Sequence, residues 1–195
     1  MIKAIIFDWH GVLDETTYRG FSKFLSDITG RNANGIRGQV SVCEQQYIKG
    51  EIAPDVFWSE LKGKLNLSNE QYTQARDHLL TVRLNQESWA QLPELQRRYQ
   101  LAVLSDCPSD KMAAIRKAAS FRYFAATQFS CESGMGKENP AFFRAVCERL
   151  GVEAAQCLYV DDTPKHIETA SRLGFLAHLF VSAEAFDRHL RNPSS

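Results

Sequence analysis

The chain has 195 residues, 44% of them hydrophobic and 24% charged, with 23 Lys and Arg balanced by 23 Asp and Glu. That composition fits one globular domain carrying an insertion and allows a sizeable core. The balanced charge excludes a global field that would draw nucleic acid or a membrane surface, so a small soluble substrate is the expectation. Five cysteines (Cys43, Cys107, Cys131, Cys147, Cys157) show no CxxC and no zinc-like spacing with histidine, and read as reduced thiols. No window approaches the roughly 18 apolar residues of a membrane helix, and the apolar stretch of "MIKAIIFDW" is too short for a signal peptide. A cytoplasmic location follows as an expectation, with disorder only at the closing "RNPSS".

The first element is the run "AIIF", which ends abruptly in Asp8. Its lack of alternation predicts a strand covered on both faces. From 16 to 84 no strand is evident. Tyr18, Phe21, Phe24, Leu25 and Ile28 form a helical stripe ending at Gly30, and Pro54 opens a helix carrying Phe57, Trp58 and Leu61. Ser68 with Gln71 makes a capping-box signature ahead of Tyr72, Ala75 and Leu79. This predicts a helical cap over residues 16–84, inserted into a core formed by 1–15 and 85–195. Tyr18, Arg19, Tyr47 and Trp58 are cap residues able to reach a substrate, although core packing explains such aromatics equally well.

The run "LAVL" then leads to Ser105, with Ser109 or Asp110 as candidate caps of a helix whose stripe is Met112, Ile115 and Ala119. "PAFFRAVCERL" places Phe142, Phe143, Val146, Cys147 and Leu150 on one face, with Pro140 at its start and Gly151 past its end. "CLYV" leads to Asp161, a helix closed by Gly174 follows, and "AHLFV" at 177–181 reads as one more strand. Alternating strands and helices predict a doubly wound parallel α/β sheet, whose ligands collect beyond the carboxyl ends of the strands. Asp8, Ser105 and Asp161 all stand there.

Each of these residues alone reads as a turn or helix cap, and Lys137 alone as a solvated loop lysine. Their ordered set does not. "FDWHGVLDE", "LSD", "GMGKENPAFF" and "YVDDTPKHIETA", in that order and over nearly the whole chain, resemble the four motifs of the haloacid dehalogenase superfamily, in its subfamily with a helical cap. The resemblance implies a Rossmann-like core and a hydrolase, most of whose relatives are phosphatases acting on small phosphorylated metabolites. It implies Asp8 as the nucleophile, forming an aspartyl-phosphate that splits one difficult displacement into two. Lys137 would hold the nucleophile and the phosphoryl oxygens as a point charge, and Ser105 would donate hydrogen bonds to them. Mg2+ needs oxygen ligands, which Asp8, the backbone carbonyl of His10, and Asp161 or Asp162 can supply. By analogy Asp162 is favoured as the direct ligand, with Asp161 as its support.

The departure is His10, where phosphatases of this family usually carry a second acid. Three readings stay open. His10 serves as the general acid and base; or it is tolerated because the leaving group needs little protonation; or the site is attenuated and the protein binds a phosphorylated ligand without turnover. Haloacid dehalogenases also lack the second acid, so carbon–halogen hydrolysis is a further alternative. The adjacent carboxylates Asp161 and Asp162 favour a metal and a phosphoryl group over it. Glu138 follows Lys137 where Pro is common, and His166 stands one helical turn after Asp162 where another Asp is common.

Overall fold

In the computed structural model, which describes residues 1–16 and 19–191, five strands form one parallel sheet in the order β3-β2-β1-β4-β5. The strands are β1 (Ala4–Phe7), β2 (Gln100–Ser105), β3 (Ala126–Phe129), β4 (Cys157–Asp161) and β5 (Leu176–Leu179). Because β1 lies in the middle, the chain builds β2 and β3 to one side of it and then crosses to add β4 and β5 on the other. Phe7 is in register with both Val103 and Val160. The switch of direction therefore falls between β1 and β4, where doubly wound sheets open the crevice that takes a ligand.

Successive strand residues face opposite sides, and both sides are covered. Ile5, Phe7, Leu101, Val103, Leu158 and Val160 pack with residues of α5 (Gln86–Arg98), α6 (Ser109–Ala118) and α10 (Ala183–Arg191). Ala4, Ile6, Ala102, Leu104 and Tyr159 pack with α8 (Pro140–Leu150) and α9 (Pro164–Arg172). Continuous apolar runs suit this double coverage. The helix stripe Phe142, Phe143, Val146, Cys147 and Leu150 is buried, Asn139 caps its start, and Gly151 ends it with φ of +65°.

Between β1 and α5 the chain forms α1 (Arg19–Thr29), α2 (Ala33–Ile48), α3 (Pro54–Leu65) and α4 (Asn69–Leu80). These helices enclose their own apolar cluster, which includes Phe21, Leu25, Tyr47, Phe57, Trp58, Leu61, Ala75 and Leu79. Pro54 opens α3, and the Ser68–Gln71 capping box is formed in both directions. Tyr18, the side chain of Arg19 and most of the closing "RNPSS" lie outside the described residues.

One strand is added to those expected and two local expectations are corrected. β3 has no counterpart among the apolar runs, because Thr127 and Gln128 interrupt its hydrophobicity; pairing with β2 makes it a strand. β5 begins and ends earlier than 177–181, leaving Val181 exposed past its end. Neither Ser109 nor Asp110 caps α6: the chain enters it through Pro108, and Asp110 serves another contact.

Candidate active site

Asp8 is the first residue beyond β1, held by its N–H donating to the carbonyl of Val160. Its Oδ1 accepts from the backbone N–H of Trp9 at 2.6 Å and from Lys137 Nζ at 2.7 Å. Lys137, in the loop between the short helix α7 (Ser130–Ser133) and α8, is buried and also reaches Asp161 Oδ2 at 2.8 Å. One ammonium thus joins the ends of β1 and β4 across the crevice. Its own backbone N–H donates to Asp106 Oδ1 at 3.0 Å, which gives Asp106 a role in shaping this loop.

Asp161 is fully buried and crowded with donors. Besides Lys137, Oδ2 accepts from the Tyr159 hydroxyl, His166 Nδ1 lies 3.0 Å away, and Oδ1 accepts from the Thr163 N–H at 2.8 Å. Asp162 is placed differently. It accepts from Thr163 Oγ1 at 3.1 Å, and it rests against Gly11, where a β-carbon would come within 2.5 Å of Oδ2. Gly11 has φ of +78°, so both its backbone conformation and this close approach require glycine. Ser105, at the end of β2, is fully buried, and its hydroxyl has no hydrogen-bond partner among the described residues. Such a group is costly unless a ligand satisfies it.

The electrostatics follow from burial and pairing. Burial, opposed by Lys137 and reinforced by Asp161, pushes the Asp8 carboxyl up to about 7. Burial works against charge on Lys137, but Asp161 and Asp8 outweigh it and push its pKa up. Burial likewise works against charge on Asp161, yet Lys137 and His166 hold it well below the usual carboxylate range.

His10 follows Asp8 by two residues, in the turn beyond β1. The turn that carries it is fastened by Trp9, which is buried, stacks on Phe121 at 5.6 Å, and donates through Nε1 to Asp14 Oδ2. His10 lines a cavity of about 170 Å³ shared with Thr16, Gly20, His78, Arg83 and Lys111. Burial, together with the charges of Lys111 and Lys137, drives its pKa well below the ordinary value, so the imidazole is neutral at neutral pH.

The match of the haloacid dehalogenase-like hydrolase family extends over residues 2–174. The chain belongs to this family. Within the hydrolase, one stretch of 68 residues is 32% identical to flavin mononucleotide hydrolase 1 of Arabidopsis thaliana, covering 35% of this chain and 28% of that protein. Among solved structures, a HAD family enzyme of Bacteroides thetaiotaomicron superposes with a TM-score of 0.80 at 21% identity, over 98% of this chain and 99% of that one. The same enzyme in complex with magnesium and inorganic phosphate gives 0.73 at 22%, over 91% and 93%. The L-2-haloacid dehalogenase of Xanthobacter autotrophicus gives 0.64 at 21%, over 100% and 84%. At these identities the structural likeness is one of fold. No helix among the described residues is long and apolar enough to cross a membrane.

Of the residues singled out in the sequence, Asp8, Lys137 and Asp161 are in direct contact, Ser105 is buried at the next strand end, and His10 and Asp162 flank the cluster. Tyr47 and Trp58 are not placed to meet a substrate: both are buried, and they donate to the two oxygens of Asp110 on α6. Glu138, in the position where proline is common, pairs with Lys49 at the end of α2 at 2.6 Å and ties the lysine loop to the inserted helices. Sequence reasoning missed Lys111 and Asp14. Lys111 is buried, pairs with the buried Asp14 at 3.5 Å, and donates to Thr16 Oγ1 and the Thr81 carbonyl, gripping both crossings between the sheet and the inserted helices. Its place four residues before Ile115, on the buried face of α6, was the available signal.

Proposed function

We propose that the protein is a Mg2+-dependent phosphatase acting on a small phosphorylated metabolite through an aspartyl-phosphate on Asp8. The observation that carries this reading is Lys137, buried and bonded at 2.7 and 2.8 Å to Asp8 and Asp161. It sets a fixed positive charge beside a carboxylate nucleophile, with the unpartnered Ser105 hydroxyl alongside. Asp8 Oδ1 takes the bonds from Trp9 and Lys137, so Oδ2 is the oxygen that attacks phosphorus as the bond to the leaving oxygen breaks. Ser105 and Lys137 then stabilise the charge on the phosphoryl oxygens.

The donor set fits a hard cation. Asp8 and Asp161 meet at the Lys137 ammonium, and Asp8, Asp161 and His166 each offer a ligand atom within 4.8 Å of the others. Asp161 Oδ2 is already engaged by Lys137 and Tyr159. Asp162, with one donor and a place against Gly11, is therefore read as the direct ligand, together with Asp8 and the His10 carbonyl. Bound Mg2+ would supply charge neutralisation at the phosphoryl group.

The neutral His10 cannot protonate a leaving oxygen, but it can accept a proton from the water that hydrolyses the aspartyl-phosphate. Leaving groups that need little protonation, such as those of acyl phosphates and sugar 1-phosphates, suit this arrangement. Residues 16–84 are read as a cap that excludes water during transfer. The depressed basicity of His10 also favours a second reading, an attenuated site that binds more than it turns over.

Phosphate release from acetyl phosphate, p-nitrophenyl phosphate, sugar phosphates and flavin mononucleotide, with and without Mg2+, tests the proposal. Asp8→Asn is expected to lose about 10³-fold or more. Absence of release on the whole panel, or release that survives Asp8→Asn, overturns it. Chloride release from 2-chloropropionate without metal would instead support the dehalogenase class.

A further inference from the structure

Cys147 and Cys157 take no part in the proposed chemistry, yet they meet across two elements. Cys147 is in the last turn of α8, where its carbonyl accepts from the N–H groups of Gly151 and Val152. Cys157 is the first residue of β4, in register with Ala4 of β1. Their sulfurs lie 3.9 Å apart within the apolar layer between α8 and the sheet. A disulfide bond is about 2.05 Å long, so the sulfurs must approach by roughly 2 Å to form one.

The two thiols are unlike. Cys147 is 8% exposed and lines a surface groove with Arg144, Glu148 and Val152, whereas Cys157 is fully buried. A hydrogen bond from Cys157 holds the Cys147 thiol below its ordinary pKa, and the same bond, followed by burial, pushes the Cys157 thiol up. The cysteine that a small oxidant can approach is therefore also the one favoured as thiolate, the nucleophilic form, and its partner stands in contact behind it. The remaining cysteines lack this combination. Burial pushes the Cys107 thiol well up and that of Cys131 up to about 11. Cys43 is buried, with its thiol donating to the Val40 carbonyl at 3.1 Å.

We propose that Cys147 and Cys157 are a dithiol that reacts with a hydroperoxide, and that the product is a disulfide stapling the end of α8 to the start of β4. The Cys147 thiolate attacks one peroxide oxygen. The S–O bond forms, the O–O bond breaks, and the departing oxygen takes up the proton that Cys147 gave up and leaves as water or an alcohol. The Cys157 sulfur then attacks Cys147. The S–S bond forms, the S–O bond breaks, and hydroxide leaves as water with the proton of Cys157. The electron pair that reduces the peroxide comes from the two sulfurs, which end as the disulfide. The inference is independent of the phosphatase reading.

The test is mild treatment of the full chain with hydrogen peroxide, followed by denaturation, alkylation with iodoacetamide and mass spectrometry. The expected product has lost two hydrogens, with Cys43, Cys107 and Cys131 alkylated and Cys147 and Cys157 protected. Arg149 lies between the pair, so trypsin yields two peptides joined only by the disulfide. Closing this loop should raise the Tm of the oxidised wild-type protein over the reduced one by about 5 °C. Dithiothreitol should reverse the rise, and Cys147→Ser should not show it. Cys157→Ser should stop at a sulfenic acid on Cys147, captured by dimedone. Peroxide that leaves both thiols free, links a different pair, or takes wild-type Cys147 to the sulfinic acid overturns the inference, as does a linked protein whose Tm is unchanged or lower. The peptide mapping and the Tm comparison use the wild-type chain, so they decide the matter even where a serine variant fails to fold.

Discussion

Among the described residues two lysines are buried, and they answer the cost of a buried charge in opposite ways. Lys137 has two carboxylates at 2.7 and 2.8 Å, and its pKa is pushed up. Lys111 has one carboxylate at 3.5 Å, its other bonds go to neutral oxygens, and burial pulls its pKa down. The first arrangement keeps a charge at the strand ends, where the proposed chemistry would use it. The second spends its bonds on the two crossings to the inserted helices and acts as a fastening. A buried lysine is thus diagnostic of chemistry only through the number and placement of its carboxylates.

The sharpest way to break the comparison is to remove each ammonium. Lys137→Met leaves Asp8 and Asp161 facing each other without a counter-ion and should cost stability at the upper end of about 3–5 kcal/mol, with kcat reduced by about 10²-fold or more. Lys111→Met leaves Asp14 with its donors from Trp9, Thr16 and Arg83. Its cost should fall at the lower end of that range or below, with kcat changed by no more than about tenfold. Urea denaturation and steady-state kinetics on both variants check the order, and equal kinetic losses would erase the distinction.

A smaller effect is expected at His10, which lies between the two charges. His10→Asp should raise kcat on alkyl phosphomonoesters by about tenfold relative to acetyl phosphate, because only the former needs a proton on its leaving oxygen. An equal change on both substrates would remove leaving-group protonation as the factor that His10 withholds.

The smallest effect concerns pH. Asp8 titrates at about 7 in the folded protein without metal, against about 3.9 for an ordinary aspartate. Between these values the folded state keeps a proton that the unfolded state has lost, so this contribution to stability is complete below about pH 4 and gone above about pH 7. Mg2+ requires the ionised carboxylate, so the rise in Tm on adding Mg2+ should be larger at pH 8 than at pH 5.5. Equal shifts would place Asp8 outside the metal site.

Much of this was legible in the chain because strand ends are local signals. Apolar runs that stop in Asp8, Ser105 and Asp161 mark carboxyl ends of covered strands, and the stripe of α8 emerged as the sequence indicates. β3 was hidden because its strand character comes from pairing with β2, not from its own composition. Tyr47 and Trp58 were ambiguous because an aromatic on an amphipathic helix looks the same whether it meets a substrate or, as here, Asp110.

The sequence by itself determined the order of the chemical groups and the strands that carry them, since both are written in short patterns of residue type. Only the tertiary structure decided the difference between Asp161 and Asp162. Consecutive residues leaving a strand point to opposite sides, which sends the first carboxylate into a shell of donors around Lys137 and the second against Gly11. Likewise, only the fold lowered the His10 pKa, through burial first and the charges of Lys111 and Lys137 second, because burial and distance to charge are properties of the fold and not of the neighbouring letters.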